Sequence, residues 1–275
     1  MVFEFDKATQ VRAIGDGAFA ARVHDGWDIA GNANGGYLLA IVSAAMCAAT
    51  GRSLPVAVSC HYLGPVNDAD VVIETSVVKS GKMLATAHAT MRSGDRVIIV
   101  AIGTCGETLP GGAESSAALP SVARRHATRG APQMPSFAES TPRPSTASGM
   151  PGLLRNVDVR LHPHDTGFAR GEPSGDALVR GWCAFRDGRP IDALGLALMC
   201  DAFPPAVFNL SGAPGWVPTV QLSFYLRAIP AAGPVCAEFA TNQLHDGMFE
   251  EDGMLWDSRG VLVAQSRQLA LMPRQ

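Results

Sequence analysis

Two stretches of the chain are apolar on nearly every side and predict buried helices. Residues 37–49 (YLLAIVSAAMCAA) and residues 191–203 (IDALGLALMCDAF) consist mostly of helix-forming apolar residues. A helix without a polar face has to be covered on all sides by the rest of the protein. Pro204 and Pro205 should end the second helix. We therefore expect two helices, each enclosed by other elements.

Each of these helices is followed by four segments with the alternation or continuous hydrophobicity of β-strands. Turn-forming Gly, Pro, Asp and Ser residues separate the segments. The strands expected after the first helix are residues 56–63, 69–80, 84–92 and 96–105, and those after the second are residues 219–227, 235–244, 248–256 and 261–271. Two strands also precede each helix, at residues 10–14 and 18–24 and at residues 156–161 and 177–185. The order strand, strand, helix, four strands thus occurs twice.

A segment of different composition separates the two repeats. Residues 107–150 are rich in Pro, Ser, Ala and Gly and have little periodicity, which indicates a linker, with a short helix expected around residues 121–129. A loop of this length is unusual inside one compact domain. We therefore expect a first unit at residues 1–106 and a second unit at residues 151–275.

The repeated order of elements predicts an α+β fold. A long, curled antiparallel sheet can enclose one helix on all sides. Two such units in tandem resemble a double hotdog fold.

Composition excludes several classes of protein. The chain has 275 residues, 47% of them hydrophobic, and a net charge of −3, so it can form a large core but lacks the basic face of a nucleic-acid or membrane-surface protein. We see no signal peptide or spanning segment and expect a cytoplasmic protein. Six scattered cysteines in apolar runs favour reduced core residues over a zinc site. They are Cys47, Cys60, Cys105, Cys183, Cys200 and Cys236.

Asp201 is the most informative single position in the chain. It follows residues 194–200, none of which has a polar side chain. Burial at such a place should raise the pKa of the carboxyl unless hydrogen bonds stabilise its charged form. Perturbed acids are common at functional sites. The alternative is a solvated acid at a helix end, which needs no function.

Three motifs in the order expected for the fold resemble the acyl-CoA thioesterases of the double-hotdog, thioesterase II-like family. They are NGGYLLAIV (residues 34–42), HYLGPV (residues 61–66) and a C-terminal set made of Asp201, Pro218-Thr219 and residues 260–268. The resemblance implies an enzyme that hydrolyses an acyl-CoA without a cofactor. It also implies that Asp201, Thr219 and Gln268 jointly hold the attacking water. Residues 220–222 depart from the family, whose members often carry an acid there.

The residue types suit this chemistry. A carboxylate can accept a proton from water, and hydroxyl and amide groups can orient that water without adding charge. Asn34, Gly35 and Gly36 precede the first helix, where free N–H groups could stabilise an oxyanion, with His61 as a further substrate contact. Each has a plain alternative: a strand residue for Thr219 and Gln268, a turn for the glycines, and a core or interface histidine for His61.

Two other functions remain open from the sequence. One is a non-catalytic module that binds acyl-CoA or an acyl carrier. The other is a hotdog hydratase or dehydratase, whose acid would have to pair with His61 or His245. The linker group of Arg124, Arg125, His126 and Arg129 could meet CoA phosphates, although a solvated group of charges is the favoured explanation. Sheet edges in hotdog units commonly pair, so we expect a homo-oligomer, a dimer or a trimer.

Overall fold

The computed structural model describes residues 2–109, 129–145, 149–212 and 215–272. Its first half contains α1 (Glu4–Ala8), β1 (Arg12–Gly15), β2 (Ala18–Val23), β3 (Asp28–Ile29), β4 (Asn32–Ala33), α2 (Gly35–Thr50), β5 (Leu54–Tyr62), β6 (Ala69–Ser80), β7 (Leu84–Ser93) and β8 (Arg96–Gly106). Its second half contains β9 (Thr141–Pro142), β10 (Val157–Leu161), β11 (Leu178–Phe185), α3 (Ala193–Met199), α4 (Phe208–Ser211), β12 (Thr219–Leu226), β13 (Val235–Ala240), β14 (Leu244–His245), β15 (Met248–Trp256) and β16 (Leu262–Leu271). Short 3-10 helices occupy Gly152–Arg155, Pro163–Asp165 and Gly167–Arg170.

One antiparallel sheet runs through both halves of the molecule. Its strands follow the order β1-β2-β6-β7-β8-β5-β12-β16-β15-β13-β11-β10-β9, with β14 paired to β15. The two halves meet where β5 pairs with β12, in a register that places Val58 opposite Phe224 and Cys60 opposite Leu222. Each half of the sheet encloses one of the two apolar helices, so the α+β double hotdog is confirmed.

The first helix is enclosed because the sheet offers it small residues. Alternate positions of β7 are buried and include Ala85, Ala87 and Ala89. On β8, a side chain at Gly103 would come within 3.2 Å of the Met46 Cε atom of α2. Short side chains on the concave face therefore let the helix lie close to the strands.

The second helix is shorter than the sequence predicts. It begins after Asp192, whose side chain accepts a hydrogen bond from the Gly195 N–H, and it ends at Met199 rather than near residue 203. The following turn is tighter, with the Asp201 N–H bonded to the Leu198 carbonyl at 3.1 Å. The last carbonyls of α3 face Gly36 at the N-terminus of α2, so the helix ends at a tertiary contact rather than at the prolines.

Part of the expected linker belongs to the second unit. β9 pairs with β10, and the Trp182 Nε1 group donates a 2.9 Å hydrogen bond to the Pro135 carbonyl. Trp256 donates in the same way to the Arg129 carbonyl. Residues 129–145 therefore pack on the second half of the sheet. The short helix expected around residues 121–129 lies almost wholly outside the described residues.

The helix α1 and the β3–β4 hairpin were not foreseen, because both are too short to show a periodic pattern. All six cysteines are buried and free. No helix in the described ranges has the length and hydrophobicity that a bilayer-spanning segment requires.

Candidate active site

Asn34 caps α2 and ties the two units together. Its Oδ1 atom accepts a hydrogen bond from the Tyr37 N–H at 2.9 Å, the usual side-chain cap of a helix. Its Nδ2 group donates to the backbone carbonyl of Asp201 at 2.7 Å and to the Asp201 Oδ2 atom at 2.9 Å. Because Asn34 is buried, this link is shielded from water and fixes the carboxyl of the second unit against the helix of the first.

The Asp201 carboxylate lies at the N-terminus of α2. Its Oδ2 atom also accepts the Gly36 N–H at 3.0 Å. The positive end of the helix favours a negative charge at this place. The Gly36 amide, which we expected to stabilise an oxyanion, is thus used by Asp201 and is not free for that role.

The two glycines are required by close packing. A Cβ atom on Gly36 would lie 2.5 Å from the Leu198 carbonyl oxygen, and one on Gly35 would lie 2.9 Å from the Asp201 Oδ2 atom. Any larger residue would push apart the ends of α2 and α3. The Tyr62 hydroxyl braces the same turn by donating to the Gly35 carbonyl at 2.7 Å. The glycine pair therefore serves the approach of Asp201 to the helix, which is neither of the roles weighed from the sequence.

Burial raises the pKa of the Asp201 carboxyl to about 6, while the hydrogen bonds from Gly36, Gly35 and Asn34 limit the rise. The direction agrees with the expectation from its apolar surroundings. A carboxyl with this pKa is mostly ionised at pH 7 yet more basic than an ordinary aspartate. The hydrogen bonds from Asn34 Nδ2 and from the Gly36 N–H both go to the Oδ2 atom of Asp201, and the Oδ1 atom accepts neither of them.

A second buried carboxyl lies close enough to Asp201 to feel its charge. Glu251 of β15 is 8% exposed and stands opposite Gln268 in the register of β15 with β16. Its Oε2 atom accepts the Ala206 N–H at 2.5 Å. Burial raises its pKa to about 8, and the negative charge of Asp201 adds to that rise. Near pH 7 the pair therefore consists of an ionised Asp201 and a mostly neutral Glu251.

Thr219 and Gln268 come from neighbouring strands of the second unit. Thr219 opens β12, and Gln268 lies on β16 opposite Leu222 of β12. Gln268 is 6% exposed, so it is not the outward-facing polar residue that the sequence left open. Neither side chain hydrogen-bonds to another of the described residues, which leaves their hydroxyl and amide groups available to a ligand.

One cavity brings these groups together. Its volume is about 480 Å³, within the range of small-molecule sites, and its wall includes Asn34, Gly35, Tyr62, Asp201, Thr219 and Gln268. Apolar side chains such as Leu153, Phe203 and Trp216 form much of the remainder. The site thus combines a base, water-orienting groups and an apolar space. Within the described residues, no three His, Cys, Asp or Glu side chains converge as metal ligands would.

Neither His61 nor His245 lines this cavity. His61 is exposed on β5, is not in the cavity wall, and lies opposite Gln221 of β12. It therefore neither lines the cavity nor belongs to the core, because the alternation of β5 turns its side chain away from the helix, and its place at an interface stays a prediction. His245 is also on the surface, beside Asp246. Neither histidine is placed to pair with Asp201, as a hydratase or dehydratase site would require.

Only one residue of the linker group lies in the described part of the chain. Arg129 forms an ion pair with Glu238, which offers a structural reason for its charge. Arg124, Arg125 and His126 lie outside the described residues.

Three residues of the site region were missed in the sequence. Tyr62 and Arg143 line the cavity, and Glu251 lies behind Gln268. Glu251 had a visible signal, since alternation places it on the buried face of a predicted strand. Arg143 lies in a proline-rich segment without periodicity and gave no signal.

Comparison with known proteins identifies the family. The first half of the chain matches the family profile described as acyl-CoA thioesterase N-terminal domain over residues 23–106. The second half matches the acyl-CoA thioesterase C-terminal domain over residues 129–272. The chain belongs to the acyl-CoA thioesterase family.

Individual proteins are similar to this acyl-CoA thioesterase family member over nearly its whole length. An uncharacterised protein of Mycobacterium tuberculosis is 30% identical over 94% of this chain and 91% of its own length. The thioesterase-like protein TwmA of Talaromyces wortmannii is 25% identical over 98% of this chain and 91% of its own. A crystal structure of a candidate thioesterase II from Thermobifida fusca has a TM-score of 0.86 at 31% identity and covers 99% of this chain and 98% of that one.

The fold is shared more widely than the sequence. A hot dog fold protein from Alicyclobacillus acidocaldarius has a TM-score of 0.81 at 22% identity, with 100% of both chains covered. This likeness supports the double hotdog architecture alone, since the same fold serves several functions.

Proposed function

We propose that this chain hydrolyses an acyl-CoA thioester to the free acid and CoA, with Asp201 as general base. The observation that carries the proposal is the placement of the Asp201 carboxylate, with a pKa near 6, in the wall of one cavity with Thr219 and Gln268. Membership of the acyl-CoA thioesterase family supplies the class of substrate.

In the proposed reaction a water molecule attacks the thioester carbonyl carbon while Asp201 accepts one of its protons. Thr219 and Gln268 orient this water, because their side chains both donate and accept hydrogen bonds. Collapse of the tetrahedral intermediate breaks the C–S bond, and the proton on Asp201 passes to the departing thiolate. A positioned general base contributes roughly 10²- to 10⁴-fold to such a reaction.

The oxyanion of the intermediate needs a donor that Asp201 does not already use. The Gln268 amide suits this role, since it can donate through Nε2 and has no partner among the described residues. Asn34 and the Gly36 amide then serve the base rather than the intermediate: they favour the ionised form of Asp201 and hold it in position. In this proposal the second unit stabilises the oxyanion of the intermediate, and the first unit positions the Asp201 carboxylate.

A panel of acyl-CoAs of different chain length, followed with a thiol reagent, tests the proposal. Release of CoA at a rate proportional to enzyme concentration is expected for at least one substrate. A non-catalytic binding module would instead be stabilised against heat by an acyl-CoA and release no thiol from any member of the panel. That second outcome would overturn the hydrolase proposal and leave the binding function.

A further inference from the structure

Arg143 introduces a positive charge into the proposed active-site cavity. Among the described residues that form the cavity wall, only Arg143 and Asp201 have charged side chains. The rest are apolar or neutral, including Leu153, Leu154 and Trp216. The cavity therefore holds one anion, which is the proposed base, and one cation without an evident structural purpose.

The Arg143 guanidinium has no partner in the described part of the chain. Two other partly buried arginines do: Arg180 forms a bidentate pair with Asp165, and Arg189 bonds both Asp6 and Asp192. Burial, with no carboxylate to offset it, lowers the pKa of Arg143 to about 10. A half-buried cation without a partner is costly for a folded protein, and a bound anion would offset that cost.

The backbone holds Arg143 firmly at this place. Its N–H donates to the Val159 carbonyl at 2.9 Å and continues the ladder in which Pro142 stands opposite Arg160. Pro142 and Pro144 flank it and restrict the chain on both sides. The guanidinium is therefore presented to the cavity by a braced strand end, as a binding group should be.

We propose that Arg143 binds an anionic oxygen group of the substrate, a carboxylate or a phosphate. The planar guanidinium matches both groups with two parallel hydrogen bonds. This inference rests on the proposed function, because it takes the substrate to be a thioester with its carbonyl at Asp201. The anion has two possible sources: a second carboxylate at the far end of the acyl chain, or the phosphates of CoA.

Four thioesters separate these sources. They are hexanoyl-CoA, adipyl-CoA, and the hexanoyl and adipyl thioesters of N-acetylcysteamine, which lacks phosphate. Dissociation constants are measured in an Asp201→Asn background, so that binding does not depend on hydrolysis. The variants compared are Arg143→Gln and, as a matched control, Arg155→Gln, which changes an exposed arginine outside the cavity wall.

If a carboxylate is the ligand, Arg143→Gln weakens both adipyl thioesters by roughly 10- to 100-fold and leaves both hexanoyl thioesters unchanged. If phosphate is the ligand, the same loss falls on both CoA thioesters and on neither N-acetylcysteamine compound. Arg155→Gln should change nothing.

Three results would overturn the inference: equal binding by the Arg143→Gln and Arg155→Gln variants, an equal loss for all four thioesters, or no binding of any of them. Release of CoA by the wild type is recorded separately. Hydrolysis of adipyl-CoA that is insensitive to Arg143→Gln would likewise remove the anion site while the proposed function stands, because this substrate has both the carboxylate and the phosphates.

Discussion

Replacing Glu251 with glutamine should make the protein more stable at neutral pH. Glu251 is buried behind Gln268, and its carboxyl has a pKa raised to about 8 from an ordinary value of 4.5. Glutamine keeps the shape and an oxygen that can accept the Ala206 N–H, but it never ionises. The substitution thus removes the titration and little else.

The size of the effect follows from the two pKa values. The folded protein holds the Glu251 proton more tightly than the unfolded chain does, so stability is greatest below pH 4.5 and falls as the pH rises towards 8. One pKa unit corresponds to about 1.4 kcal/mol. Between pH 4.5 and pH 7 the wild type should therefore lose about 3 kcal/mol from this group, as an order of magnitude, and the Glu251→Gln variant should not.

Urea unfolding at several pH values between 4.5 and 8 measures the difference directly. The free energies of unfolding of the two proteins should nearly coincide at the acidic end and diverge in favour of the variant as the pH rises. Glu250→Gln makes the same chemical change on the opposite face of β15 and should gain no stability with rising pH. Parallel curves for wild type and Glu251→Gln would refute the assignment of a buried, protonated carboxyl.

Three other predictions concern the contact between the units and the assembly. Asn34→Asp replaces the amide beside Asp201 with a second carboxylate, so the midpoint of the pH–rate profile should move above its wild-type value; an unchanged midpoint would contradict the link between the two side chains. Gly36→Ala should lower the free energy of unfolding by about 1–3 kcal/mol in urea titrations, because its Cβ would collide with the Leu198 carbonyl. Gly130→Ala, which meets no atom within 4 Å, should stay within about 0.5 kcal/mol of the wild type, and equal effects would refute the packing argument. We also propose a homo-oligomer, a dimer or a trimer; light scattering after size exclusion should report that mass at micromolar concentration, and a monomer would exclude it.

The fold could be predicted from the sequence because the strongest sequence patterns that mark its elements are local. The apolar run of residues 37–49 marks α2, and the turns around Gly81 and Gly94 delimit the strands that enclose it. The length of α3 could not be predicted from the sequence. It is set by the contact with α2 at Gly36, a tertiary event that no helix propensity records.

Only part of the candidate site could be predicted from the sequence, for a related reason. The position of Asp201 after an apolar stretch predicts the direction of its pKa shift. The use of the Gly36 amide by Asp201, and the approach of Arg143 to the same cavity, depend on segments far apart in the chain. His61 shows the converse error, since a motif placed it at the site while the alternation of β5 turns it outward.

Asp201, held at the N-terminus of α2, is the proposed base that activates water. The most direct test is kcat/KM for the best acyl-CoA as a function of pH, for wild type and Asp201→Asn side by side, with melting curves for both. The wild-type value should rise with pH and level off above about 6, where the carboxylate is ionised. Asp201→Asn should lose roughly 10²- to 10⁴-fold at every pH above the midpoint while remaining folded. A folded Asp201→Asn variant with wild-type kcat/KM would contradict the account.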